Sequence, residues 1–129
     1  MLIGELAKRT GATAKTLRFY EDAGLLPEPT RTSAGYRNYA ERFVERVGFI
    51  RDAQKSGLTL RQIGEILDIR DGGRPPCEHV GHLIDQRLAE VEQRIRELEQ
   101  TRRQLHQLVQ RTRDLDPADC SGYCGIIQP

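Results

Sequence analysis

Tryptophan is absent from the sequence, methionine occurs once, and aromatic residues make up only 5% of its 129 positions. So few rings leave a lean core, and with 30% charged residues the rest reads as long, solvated helical faces. The length accommodates one domain, or one small domain with an appendage. Long apolar runs are missing too: none approaches the ~20 residues of a membrane span. The opening "MLIGELAKRT" reaches Lys8 and Arg9 before a signal-peptide core can form. Both absences point to a cytoplasmic protein with no membrane partner, in a compartment where thiols stay reduced. Cysteine is scarce, at three residues. A structural disulfide is therefore not expected, and three thiols fall short of the usual four-cysteine iron–sulfur cluster. No nucleophile–base pair, phosphate loop or pair of acids in a pocket-forming context is present, which argues against an enzyme.

Neither sign of charge dominates, and a net charge of +1 excludes a polycation. The balance is uneven along the chain, however. Residues 1–75 hold 13 Lys+Arg against 10 Asp+Glu, a net of +3, while residues 76–129 hold 7 against 9, a net of −2. A mildly basic front half is compatible with nucleic acid but is weak evidence by itself.

The front half reads as short helices. In "IGELAKRTGATAKTLRFYEDAGLL", Ile3, Leu6, Ala7 and Thr10 share one face of a first helix. Gly11 supplies the sharp turn, and Thr13 is placed to cap a second helix with its hydroxyl. Ala14, Leu17 and Glu21 lie on one side of that helix, with Lys15, Arg18 and Asp22 on another. Gly24 fits the left-handed position after it. Two helices joined by a glycine turn form a helix-turn-helix, a pattern that small helical domains also show. In "LLPEPTRTSAGYRNYAERF", Pro27 and Pro29 block helix, Ser33-Ala34-Gly35 is a turn, and "YRNY" is a short strand. A hairpin placed there is a wing. Arg31, Tyr36, Arg37 and Tyr39 cluster on it, and basic residues interleaved with rings suit the sugar-phosphate backbone. A plainer role stays open for one of the two tyrosines, as an anchor of the hairpin on the core. Phe43, Val47 and Ile50 mark another helix, ended by Gly57, and Thr59 with Gln62 forms a capping box for the next. The loop "RDGGRPP" marks the domain boundary near residue 76.

Residues 77–113 contain no proline, and glycine only at position 81. Their apolar positions are Ile84, Leu88, Val91, Ile95, Leu98, Leu105 and Val109, spaced as a heptad seam with Arg102 filling one position. A single helix cannot bury such a stripe, so a partner helix is required. At about 37 residues it spans roughly 55 Å, longer than a domain of ~75 residues is wide. A homodimer is the expected outcome.

"LRFYE", "GLL" and "GYR.Y", in that order and spacing, followed by two helices and a long terminal helix, resemble the MerR family of transcriptional regulators over essentially the whole chain. Cys77 at the head of the long helix and "C…YCGII" beyond its end look like the metal-sensing branch. The resemblance implies a mainly α protein: a winged helix-turn-helix domain (1–75), a dimerisation helix forming an antiparallel coiled coil (76–113), and a short metal-binding loop (114–129). It implies contacts to double-stranded promoter DNA from Thr13, Lys15, Thr16, Arg18, Tyr20, Arg31, Tyr36, Arg37 and Tyr39. It also implies a promoter held inactive without metal, then bent and untwisted for RNA polymerase when metal binds.

The metal ligands expected are Cys77, Cys120 and Cys124, with His79, His82 and Asp119 as further donors. His106 lies on the coiled coil, away from the loop. The first tail cysteine departs from the family pattern, because relatives usually carry it nearer the helix end. Here that region reads "RTRDLDPADC", with Asp114, Asp116 and Asp119 as nearby oxygen donors. Three thiolates favour soft or borderline cations. Relatives that select monovalent ions commonly lack a cysteine where Cys77 sits, so the expectation is a divalent ion, zinc, cadmium, lead or mercury, ahead of copper(I). A thiol-redox or electrophile sensor of the same fold is the alternative. From residue 113 the tail carries Cys120 back about 24 Å and Cys124 about 37 Å at ~3.4 Å per residue. Neither reaches the Cys77 of its own chain, some 55 Å away by helix rise. An antiparallel partner brings its own Cys77 to that end.

Overall fold

The computed structural model describes residues 1–128. The order is α1 (Ile3–Thr10), α2 (Ala14–Asp22), β1 (Thr30–Arg31), β2 (Arg37–Asn38), α3 (Arg42–Lys55), α4 (Leu60–Asp71), α5 (Cys77–Asp114) and a 3₁₀ turn at Pro117–Asp119. This is the mainly helical fold expected. Contacts divide the chain into two compact units, Met1–Arg87 and Leu88–Pro129.

In the first unit, α1 and α2 meet across Gly11, whose φ of 71° is the left-handed conformation that a side chain resists. Thr13 caps α2 by accepting from the Thr16 amide at 3.1 Å. Leu6 and Leu17 face inward and are almost fully buried. Phe43, Val47 and Ile50 of α3, with Ile63, Ile66 and Leu67 of α4, complete an aliphatic core. The capping box at the head of α4 forms in full: the Gln62 amide donates to Thr59 Oγ1, and the Thr59 amide donates to Gln62 Oε1. Gly57 ends α3 at a φ of 86°, and a Cβ there would collide with the Arg87 guanidinium.

The wing is a minimal antiparallel hairpin pairing Thr30 with Asn38 and Arg31 with Arg37. Three polar ties brace this unit from outside its core. Arg9 and Glu41 form a two-pronged ion pair between α1 and the residue before α3. Arg46 donates to both carboxylate oxygens of Asp71, at 2.8 and 3.0 Å, and through Nε to the Leu25 carbonyl at 2.6 Å. Arg51 donates to the Thr10 carbonyl at 3.2 Å.

The unit does not stop at the loop before residue 76. Leu83 of α5 is 6% exposed and Val80 packs beside it, so the first turns of α5 belong to the front core. Among the described residues, none beyond Leu83 is buried in a core. The apolar seam from Ile84 to Val109 is 38–55% exposed. No helix among the described residues is long and apolar enough to cross a membrane.

Candidate DNA interface and thiol-bearing tail

On α2, Lys15 and Arg18 project to solvent. Thr16 is half-buried, its hydroxyl 2.9 Å from that of Thr13. Arg18 also lines a cleft of about 240 Å³ with Arg31, Tyr36 and Arg37 of the wing and Leu2 and Ile3 at the start of α1. Tyr36 is 65% exposed at its mouth. Arg37 is steered by Glu21, 3.3 Å away, and Arg31 donates to the Gly35 carbonyl at 2.9 Å. Three guanidiniums and one exposed ring thus gather on one face, a chemistry suited to phosphate and sugar.

Two of the residues expected to contact DNA are largely buried. Tyr20 is 2% exposed, and its hydroxyl donates to Gln54 Oε1 on α3. Tyr39 is 2% exposed and packs edge-on against Phe43, ring centroids 5.2 Å apart. Burial raises the pKa of both phenols, so both stay protonated. These rings anchor α2 and the wing on the core. Conversely, Phe19 is 53% exposed on α2, and sequence reasoning missed it. The signal was available, since Phe19 lies four residues after Lys15, on the same helical face.

Cys77 starts α5 and is exposed. Two positions on, His79 Nε2 lies 3.1 Å from Glu65 Oε2 of α4, so its ring is already engaged. His82 lines a shallow cleft with Arg74 and Glu78. Among the described residues, no three His, Cys, Asp or Glu side chains of one chain come together as a metal site.

The tail has a definite architecture. Pro117 starts a 3₁₀ turn capped by Asp116, whose Oδ1 accepts from the Ala118 amide at 3.0 Å. Asp119 sits in that turn and is exposed. The chain then folds back so that the Gly125 amide donates to Cys120 Sγ at 3.1 Å. Backbone amides of Ile127 and Ile126 hydrogen-bond Cys124 and lower its thiol pKa below the ordinary value. Arg111 of α5 closes the loop by donating to the Ile126 carbonyl. Gly125 is packed closely enough that a Cβ would sit 3.5 Å from Cys120 Sγ and from Leu115. At Cys124 these backbone N–H groups favour thiolate over thiol, and thiolate is the form that ligates metal.

The family model described as "MerR HTH family regulatory protein" matches residues 1–69, and that described as "MerR, DNA binding" matches residues 44–108. The chain is 39% identical over 129 residues to the HTH-type transcriptional regulator ZntR of Escherichia coli K12, covering 98% of this chain and 89% of that protein. It is 44% identical over 75 residues to the mercuric resistance operon regulatory protein of Bacillus cereus, 58% of this chain and 57% of that one. The crystal structure of the transcription regulator PbrR691 from Ralstonia metallidurans CH34, in complex with lead(II), is 38% identical. It superposes with a TM-score of 0.80 over 98% of this chain and 97% of that chain. The chain belongs to the MerR family of helix-turn-helix transcriptional regulators.

Proposed function

We propose that this regulator holds its promoter inactive until a soft or borderline divalent metal ion binds Cys77 of one chain together with Cys120 and Cys124 of its partner. The observation that carries the reading is the tail loop, which turns backbone amides toward both of its sulfurs. A solvated tail without that task has no reason to wrap two thiols in this way. The donor set is soft, which favours zinc, cadmium, lead or mercury over hard cations, with copper(I) behind them. Relatives named for mercuric resistance or solved with lead(II) support the same class of ion. When bound, the ion would crosslink the two subunits, its positive charge offsetting most of that on the three thiolates. Cys77 lies next to the loop that leads from α4, so a pull on it is felt by the DNA-reading unit. The partners are a second copy of the chain, promoter DNA and the RNA polymerase acting there, in the cytoplasm. The chain works as a regulator, without catalysis.

The test is in vitro transcription from the cognate promoter with protein reduced and freed of metal. Each ion is then titrated in, with peroxide as a separate arm. One or more of the divalent ions is expected to activate, and Cys77→Ser and Cys124→Ser to abolish activation while metal-free DNA binding stays nearly intact. Activation by peroxide with no response to any ion would replace this reading with a redox sensor.

A further inference from the structure

The seam of α5 reads the same from either end. Its apolar and seam positions are 84, 88, 91, 95, 98, 102, 105 and 109. Paired from the outside in, 84 with 109, 88 with 105, 91 with 102 and 95 with 98, every pair sums to 193. In an antiparallel pair of identical helices, residue i lies level with a partner residue at a fixed sum. This is also the alternation of core positions that antiparallel coiled coils require. At 193 the two-fold operation repeats each layer. Three apolar pairs then become six apolar layers, Ile84 with Val109, Leu88 with Leu105 and Ile95 with Leu98, each twice. Sliding by one heptad to a sum of 200 keeps only 91 with 109 and 95 with 105, four layers. Sliding the other way, to 186, keeps only 88 with 98 and 91 with 95, again four. Register 193 buries the most apolar surface, and it sets Cys77 level with the partner's residue 116, at the root of the thiol-bearing tail.

The flanks then raise a difficulty. At this register Glu92 of one chain lies beside Glu99 of the other, like charges along the seam edge. A parallel pair would instead set Arg87 near the partner's Glu92 and Arg94 near the partner's Glu99, which is attractive. Apolar layers do not exclude it, since seven would match themselves. What stands against the parallel pair is Arg102, which would face its own copy in one layer.

Among the described residues, Arg102, Glu92 and Glu99 form no ion pair or side-chain hydrogen bond, whereas Arg96, which faces away from the seam, donates to Gln93 Oε1 at 2.7 Å. We infer that Arg102 is the residue that fixes the orientation and register of the homodimer, by placing its guanidinium between its own Glu99 and the partner's Glu92. The antiparallel sense rests on the thiol reading above, but the pairing itself does not depend on metal. Arg102 bridges the two carboxylates that the antiparallel seam brings together and offsets their repulsion, and it opposes the parallel alternative.

Disulfide trapping of full-length protein tests this with Cys77, Cys120 and Cys124 all changed to Ser, so that no metal is involved. Leu88→Cys with Leu105→Cys is expected to give covalent dimers rapidly, because disulfides need close Cα approach. Leu88→Cys alone is separated from its copy by 17 residues, ~26 Å of helix rise, and is expected to stay monomeric on denaturing gels. Leu88→Cys with Leu98→Cys and Ile95→Cys with Leu105→Cys report the two slipped registers and are expected to crosslink slowly. Adding Arg102→Leu should let Leu88→Cys alone crosslink, as parallel pairs form, and Arg102→Lys should restore the original pattern. Circular dichroism and sedimentation confirm that each variant is a folded dimer; should Arg102→Leu fail to fold, Arg102→Gln takes its place. Crosslinking of Leu88→Cys alone with Arg102 in place overturns the register. An unchanged pattern in the Arg102→Leu or Arg102→Gln dimer overturns the role of the arginine. Because the thiols are gone throughout, loss of the metal reading leaves either result standing.

Discussion

Arg18 and Tyr20 stand two positions apart on α2 and have opposite fates. A helical step of two turns the side chain through about 200°, so one faces the solvent cleft and the other faces α3. Arg18→Ala should weaken binding to the cognate promoter by about tenfold, the loss of a guanidinium contact to a phosphate or guanine edge. Tyr20→Phe should leave DNA affinity where it is and lower stability by roughly 0.5–1.5 kcal/mol, the net worth of its bond to Gln54. Fluorescence anisotropy and denaturant melts of the two variants separate these effects. Equal loss of DNA affinity in both would restore Tyr20 to the interface. The sequence alone could not separate the tyrosines, because a ring with a hydroxyl suits both a groove wall and a core rim. The arginines were easier to place, because a guanidinium is expensive to bury unpaired.

Elements were legible wherever their ends carried chemistry. Thr13, Thr59 and Gln62 announce helix starts through side-chain oxygens, and Gly11 and Gly57 announce turns through positive φ. The limit of the front unit was not legible in this way. Loop composition marks a bend in the chain, but only packing reveals that Val80 and Leu83 return to the core. Long-range ties were equally silent. Arg46 and Asp71 are 25 residues apart, and nothing in either neighbourhood announces that they meet. Their pairing holds the end of α4 against α3 and, through the Leu25 carbonyl, the segment after α2. The hydrogen bonds from Arg46 keep the Asp71 carboxyl below its ordinary pKa. Such a group stabilises the fold above its unfolded value, ~3.9, and loses that contribution as pH falls through the lower folded value. Asp71→Asn is therefore expected to lower the melting temperature near pH 7 and to converge with the parent protein in strong acid. The carboxylate is 52% exposed, so the difference at neutral pH should stay under about 1 kcal/mol. A gap that persists unchanged below the folded value would assign the effect to packing rather than charge.

At the scale of the whole molecule, one chain is incomplete in two ways. Among the described residues, it carries an exposed apolar seam and three thiols that do not gather within one chain. A second copy in antiparallel sense answers both, because the head of each helix then meets the other's tail. The proposed reading gives two sites per dimer, each built from both chains, and subunit mixing can test this directly. A homodimer of Cys77→Ser lacks one ligand in both sites, and so does a homodimer of Cys124→Ser; neither should hold an ion tightly. A heterodimer with Cys77→Ser in one chain and Cys124→Ser in the other concentrates both lesions in one site. The second site keeps Cys77 from one chain and Cys120 and Cys124 from its partner. Differently tagged chains, refolded together and purified through both tags, should therefore retain about one tightly bound ion per dimer by elemental analysis, against two for the parent protein. If each site were built within one chain, every site in that heterodimer would be damaged and no tight binding would remain. Retention of none, in a dimer that still binds its promoter, would remove the intersubunit clasp and with it the route from ion to DNA.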